Sequence, residues 1–157
     1  MIDLVFDNQT GKDGPPVGGE KFFTSVLEHS LQFLKLNDKQ VEIGLHLINP
    51  ERSRELNREH RGKDKPTDVL SFPLNENPAD NVLKNHDILP LGDIFICLDV
   101  TVRQAEEMNI PVSQELARLT IHGLLHLLGY DHERSASDEK QMTDLQEKIL
   151  ETWQNPT

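Results

Sequence analysis

Three histidines fall within eleven residues, His122, His126 and His132, in the string HGLLHLLGYDH. Helical positions four apart differ by about 40° around the axis and about 6 Å along it, so two imidazoles at that spacing aim at one point. Gly129 lies between the second and third histidines, and glycine tolerates the left-handed conformation that ends a helix. The chain then turns back, bringing His132 within reach of the same point. Imidazole suits zinc, nickel, iron or copper better than magnesium or calcium. Three protein ligands leave one position for water or substrate, as catalytic zinc sites do, whereas structural zinc sites are closed by four.

The spacing H-x3-H-x2-G-x2-H matches the long metalloprotease motif except at one place. There the first histidine is followed by a glutamate that acts as general base; here the residue is Gly123. The pattern therefore points to a metal and away from a conventional peptidase. Buried imidazoles need polar partners, which argues against three idle histidines on so apolar a helix. His29, His46, His60 and His86 lack such spacing and read as structural or surface residues, with His60 beside Arg61 close enough in sequence to lie near the site.

The elements that position these residues follow from periodicity. Residues 2–7 read as a first strand and 8–18 as a Gly- and Pro-broken loop. Phe22, Phe23, Val26, Leu27, Leu31 and Leu34 recur at helical spacing over 20–36. Val41, Ile43, Leu45 and Leu47 alternate, predicting a strand over 40–48 buried on that face. Asn49-Pro50 predicts a helix start, an N-cap followed by proline in the first turn, with the helix running to about His60. Residues 61–67 form a polar turn, 68–74 a strand ended by Pro73, 75–90 a long loop and 91–98 an apolar strand with Cys97 as a core residue. Helices are expected over 99–109, from Pro111 to Gly129, and over 137–153. The sum is an α+β fold, one domain over 1–157, with a mixed sheet of about four strands, about five helices and a zincin-like metal helix.

Composition sets bounds. A chain of 157 residues is long enough to bury one real core. No stretch approaches a membrane span of roughly 18 apolar residues, so no membrane partner is expected. The opening MIDLVFDN does not read as a secretory signal, and a single cysteine fits a reducing, cytoplasmic setting. The net charge of −11 argues against a polyanionic partner, yet residues 52–65 hold six of the 16 Lys and Arg and three of the 27 acids. That segment reads as a solvated helix face, with Arg54 and Arg58 paired to Glu55 and Glu59, or as a local basic patch.

The block HGLLHLLGYDH closely resembles the signature of the YbeY family of bacterial metal-dependent endoribonucleases, which act in ribosomal RNA maturation. Two more blocks agree, LNREHRGKDKPTDVLSFP at 56–73 and LGDIFI at 91–96. The resemblance implies one zinc ion, or nickel or another divalent transition metal, on His122, His126 and His132. It implies a functional arginine at Arg61, single-stranded ribosomal RNA as substrate near the 3′ end of the small-subunit RNA, association with the ribosome or ribosomal proteins, and a link to ribosome quality control. A guanidinium matches phosphate geometry and stabilises charge on a phosphorane-like transition state. A divalent metal can itself lower the pKa of water toward about 7, so the missing glutamate is no obstacle; attack by a 2′-hydroxyl is the other route.

Lys63 and Lys65 are expected to guide the RNA backbone, or to belong to a solvated loop. Asp131 either orients a ligand histidine or caps the turn after Gly129. Tyr130 packs on the sheet or stabilises a leaving group, and Asp68 and Ser71 serve either structure or chemistry. Two rival readings stand beside the nuclease. One is a zincin-like peptidase with Glu133 as the nearest substitute acid; the other is a non-catalytic ribosome-assembly factor whose metal only holds the fold.

Overall fold

A computed structural model describes residues 2–12, 19–74, 88–130 and 135–155. Four strands form one sheet: β1 (Ile2–Asn8), β2 (Val41–Ile48), β3 (Val69–Pro73) and β4 (Leu89–Cys97). Their spatial order is β1-β2-β4-β3. β1 and β4 flank β2 in parallel, and β3 closes the edge antiparallel to β4. Five helices complete the described residues: α1 (Glu20–Phe33), α2 (Pro50–Arg61), α3 (Leu98–Met108), α4 (Val112–Leu127) and α5 (Ala136–Gln154). The α+β mixed sheet expected from periodicity is therefore the fold. The expected loop at 75–90 falls mostly on residues outside those described, as do 13–18.

The core lies between one sheet face and two helices. Ile43, Leu45, Leu47, Ile94 and Ile96 meet Phe23, Leu27 and Leu31 of α1 and Leu116, Leu119, Leu124 and Leu127 of α4. α5 covers the outer side of α1 and α4 through Met142, Ile149 and Leu150, which meet Val26, Ile121 and Leu125. Half-buried Tyr130 joins this second cluster, so it packs among the helices and not on the sheet. On the opposite sheet face, Ile48, Leu56, Leu70, Cys97 and Val100 form a smaller apolar cluster under α2 and the start of α3. Cys97 is buried there, and burial pushes its thiol up, in keeping with a core residue.

The alternation in β2 predicted burial of a single face; the second face is covered as well. Gly44 and Ile48 are buried, and the His46 ring bridges Asp7 at 3.1 Å and Asp93 at 2.9 Å while stacking on Phe95 at 4.3 Å. The reason is that β2 is a central strand, and its polar residues pair across β1 and β4 instead of meeting water. His29 is likewise structural, its Nε2 lying 2.8 Å from the Thr152 hydroxyl.

α4 approaches the sheet most closely at Gly123. A Cβ there would lie 2.7 Å from Cγ2 of Ile94 and 3.1 Å from two more atoms of the same side chain. Ile94 is itself fully buried and has nowhere to move. Alanine normally gains about 1 kcal/mol over glycine inside a helix. Here overpacking, which costs about 1–3 kcal/mol, opposes that gain. Gly123→Ala is therefore expected to lower the urea midpoint of unfolding; an unchanged or raised midpoint would show that α4 is not seated as described.

Candidate metal and phosphate site

α2 begins at Asn49-Pro50 as expected, although the Asn49 side chain makes no cap hydrogen bond. It ends at Arg61, because Gly62 takes the left-handed conformation (φ 69°). The following loop folds back along the helix. Ser53 Oγ donates to the Thr67 carbonyl and accepts from the Thr67 N–H, both at 2.9 Å. Asn57 Nδ2 donates to the Lys65 carbonyl at 2.8 Å. Arg54 grips Asp64 with two hydrogen bonds of 2.8 and 2.9 Å, and Arg58 lies 3.7 Å from the same carboxylate. The pairing expected between Arg54, Arg58 and the helix's own glutamates is thus replaced by Asp64, which the folded-back loop brings closer; Arg52–Glu55 is the intrahelical pair. Lys63 and Lys65 are exposed on this loop, outside the pocket lining described next.

A pocket of about 420 Å³ opens between the end of α2, the edge strand β3 and α4. His60, Arg61, Asp68, Ser71, Phe72, His122 and His126 are among its lining residues. The structure therefore joins Arg61 to two of the three predicted ligands, though more than 60 residues separate them in sequence. A larger groove along the outer face of α1 holds no comparable convergence. Asp68 is hydrogen-bonded within the fold: Oδ1 accepts from the Val69 N–H at 2.7 Å and Oδ2 from Gln104 at 3.3 Å.

Two imidazoles sharing one tetrahedral zinc, with Zn–N near 2.0–2.1 Å, place their ring centroids about 5 Å apart. Those of His122 and His126 are 4.9 Å apart at 64°. The pair thus fits a shared cation. The third predicted ligand, His132, lies outside the described residues, as do Asp131 and Glu133; among the described residues no group of three His, Cys, Asp or Glu converges on a metal position. Gly129 adopts a positive φ of 102° after α4, the helix-ending conformation expected of a glycine there. Gly123, the position of the protease glutamate, faces Ile94 of the sheet.

One site residue escaped the sequence reading. Gln146 of α5 is nine-tenths buried, and its Oε1 lies 2.7 Å from His122 Nδ1. Its Nε2 donates to Glu147 at 3.1 Å, and Glu147 accepts from Arg118 at 3.0 Å. Arg118 also pairs with buried Glu115, which accepts from Gln104 at 2.9 Å. The signal was present: Gln146 occupies the apolar stripe of α5, four residues after Met142 and three before Ile149, where a polar side chain needs a partner.

The sequence matches the model of the family described as Endoribonuclease YbeY over residues 6–154. The chain belongs to the endoribonuclease YbeY family. An endoribonuclease YbeY of Sulfurihydrogenibium sp. is 47% identical over 132 residues, covering 84% of this chain and 82% of that protein. One from Oenococcus oeni is 42% identical over 155 residues, covering 98% and 97%. The solution structure of TM1509 from Thermotoga maritima is similar in fold, with a TM-score of 0.63 at 30% identity, over 96% of this chain and 89% of that one. No helix among the described residues is long and apolar enough to cross a membrane.

Burial pushes the Glu147 carboxyl up, but hydrogen bonds from Arg118 and Gln146 and the charge of Arg118 outweigh it and hold the group below its ordinary value of 4.5. A depressed carboxylate contributes stability that is fully present above the unfolded value and is lost as pH falls through the folded one. Glu147→Gln should therefore flatten the fall in melting temperature below pH 4.5 and leave its slope near neutrality unchanged; an equally steep acid limb would show that Arg118 does not hold this carboxylate.

Proposed function

We propose that this protein is a cytoplasmic, zinc-dependent, single-strand-specific endoribonuclease that processes ribosomal RNA, including the 3′ end of the small-subunit RNA, and serves ribosome quality control in contact with ribosomal proteins. The carrying observation is the shared pocket of Arg61, His122 and His126. Family membership supports RNA as the substrate. His122, His126 and, by sequence, His132 would hold the metal. A bound divalent ion supplies Lewis acidity toward a phosphoryl oxygen and acidifies water.

The chain's own residues supply the rest. Arg61 stands at the C-terminal end of α2, where the negative end of the helix dipole favours a cation. Its guanidinium would bind the non-bridging oxygens of the scissile phosphate and stabilise the charge that grows on them. The His60 ring, 4.7 Å from Phe72, forms an aromatic wall beside Arg61 against which a base can stack. Exposed Lys63 and Lys65 extend the positive charge along the backbone path. Because Gly123 is buried against Ile94, no carboxylate fits where a zincin peptidase carries its base, which favours the nuclease over the peptidase.

The test compares wild type and Arg61→Ala, both zinc-loaded, on single-stranded RNA and on an unstructured protein substrate. Wild type should cut RNA and leave the protein intact. Arg61→Ala should lose about 10²–10³-fold in kcat, the range for removing one transition-state donor, with normal zinc content and melting temperature. Proteolysis with inert RNA would reinstate the peptidase, absence of any cleavage the assembly factor, and a wild-type rate in the variant would remove Arg61 from catalysis.

A further inference from the structure

We infer that Gln146 is a positioning residue that fixes which ring nitrogen of His122 faces the pocket, and that the Glu115–Arg118–Glu147 cluster fixes Gln146 in turn. The inference deepens the zinc reading and rests on it.

The hydrogen-bond chain starts at Arg118, whose protons are certain. A guanidinium only donates, so the Arg118–Glu147 contact of 3.0 Å holds Glu147 as an accepting carboxylate. A carboxylate cannot donate to Gln146. The amide must therefore turn its NH2 toward Glu147, at 3.1 Å. That leaves Oε1 against the imidazole, 2.7 Å from Nδ1. A carbonyl oxygen only accepts, so Nδ1 must carry the proton. In the neutral ring the lone pair then belongs to Nε2, the nitrogen that would ligate a cation in the pocket that His122 lines.

The links come from two helices. Arg118 stands about one turn and Glu115 about two turns before His122 on α4, and Gln146 and Glu147 are neighbours on α5. The same cluster continues through Gln104 of α3 to Asp68, at the start of the strand that forms the opposite pocket wall. Three helices and the β3 edge thus converge on the orientation of one imidazole. A glutamine used only to fill the α4–α5 contact would not need both ends of its amide satisfied in this order. With nine-tenths of the side chain buried, its amide has little solvent to exchange with.

The test uses full-length metal-free protein labelled with 15N-histidine, and zinc affinity measured by competition with a chromophoric chelator. In wild type the His122 nitrogens should read as the Nδ1–H tautomer before any metal is added. Gln146→Leu, which keeps the volume and removes the acceptor, should lose that signature and bind zinc about 10–100-fold more weakly. Gln146→Glu keeps an acceptor against Nδ1 and should retain the tautomer, with affinity much closer to wild type. A folded Gln146→Leu with the wild-type tautomer and affinity would overturn the proposal. So would a wild-type spectrum in which His122 carries its proton on Nε2, a result that needs no variant to fold. If wild type shows the locked tautomer yet binds no zinc, the metal reading has failed and the positioning role falls with it. If zinc binds normally to a ring with no preferred tautomer, the role of Gln146 alone has failed.

Discussion

A helix can direct two side chains at one external point only if its rotation about its own axis is fixed. In this fold that constraint is the contact of Gly123 with Ile94. The absence of a Cβ lets α4 settle onto β4 between the two histidines, with fully buried Ile121, Leu124 and Leu125 locking its neighbouring faces. Residues 122 and 126 are left on the side that meets the β3 edge. Any larger residue at 123 would lift or roll the helix, and a roll of a few tens of degrees would carry both imidazoles out of register with Arg61. The same close approach removes the place where a peptidase of this motif keeps its carboxylate. Packing and chemistry are thus decided at one position.

The second wall of the pocket is fixed by different means. Arg61 ends an exposed helix whose charged surface gives it little hold on the core beyond Leu56. Its position depends on polar contacts: buried Ser53 and Asn57 tie the returning loop to α2, and exposed Arg54 holds Asp64. Beneath the site, Glu115 and Arg118 place charges in a largely desolvated setting, and half-exposed Glu147 joins them at its rim. Such a cluster contributes little net stability against its desolvation cost. Its use is geometric under the positioning role inferred for Gln146, since a guanidinium only donates and a carboxylate only accepts.

Much of this was legible in the sequence because it is periodic or local. The four-residue histidine spacing, the apolar stripe of α4, the Asn49-Pro50 helix start and the positive-φ glycine at 129 each follow from one stretch of chain. What was not legible is non-local. The partner of Arg54 depends on how the loop after Gly62 folds back, which no helical spacing reveals. The covered second face of β2 depends on its central place in the sheet, whereas its alternation reads as an edge or one-sided strand. Gln146 bonds across two helices to a histidine 24 positions away. Its polarity on a buried stripe marked it as needing a partner but could not name which.

Under the proposed function, His122 and His126 grip one cation through Nε2 beside Arg61. Anomalous diffraction at the zinc edge from crystals of zinc-loaded protein tests it directly. The account predicts a single peak about 2.0–2.1 Å from Nε2 of both rings, with a third protein ligand and one position open toward Arg61. A peak elsewhere, ligation through Nδ1 of His122, or a fourth side chain closing the shell would contradict it.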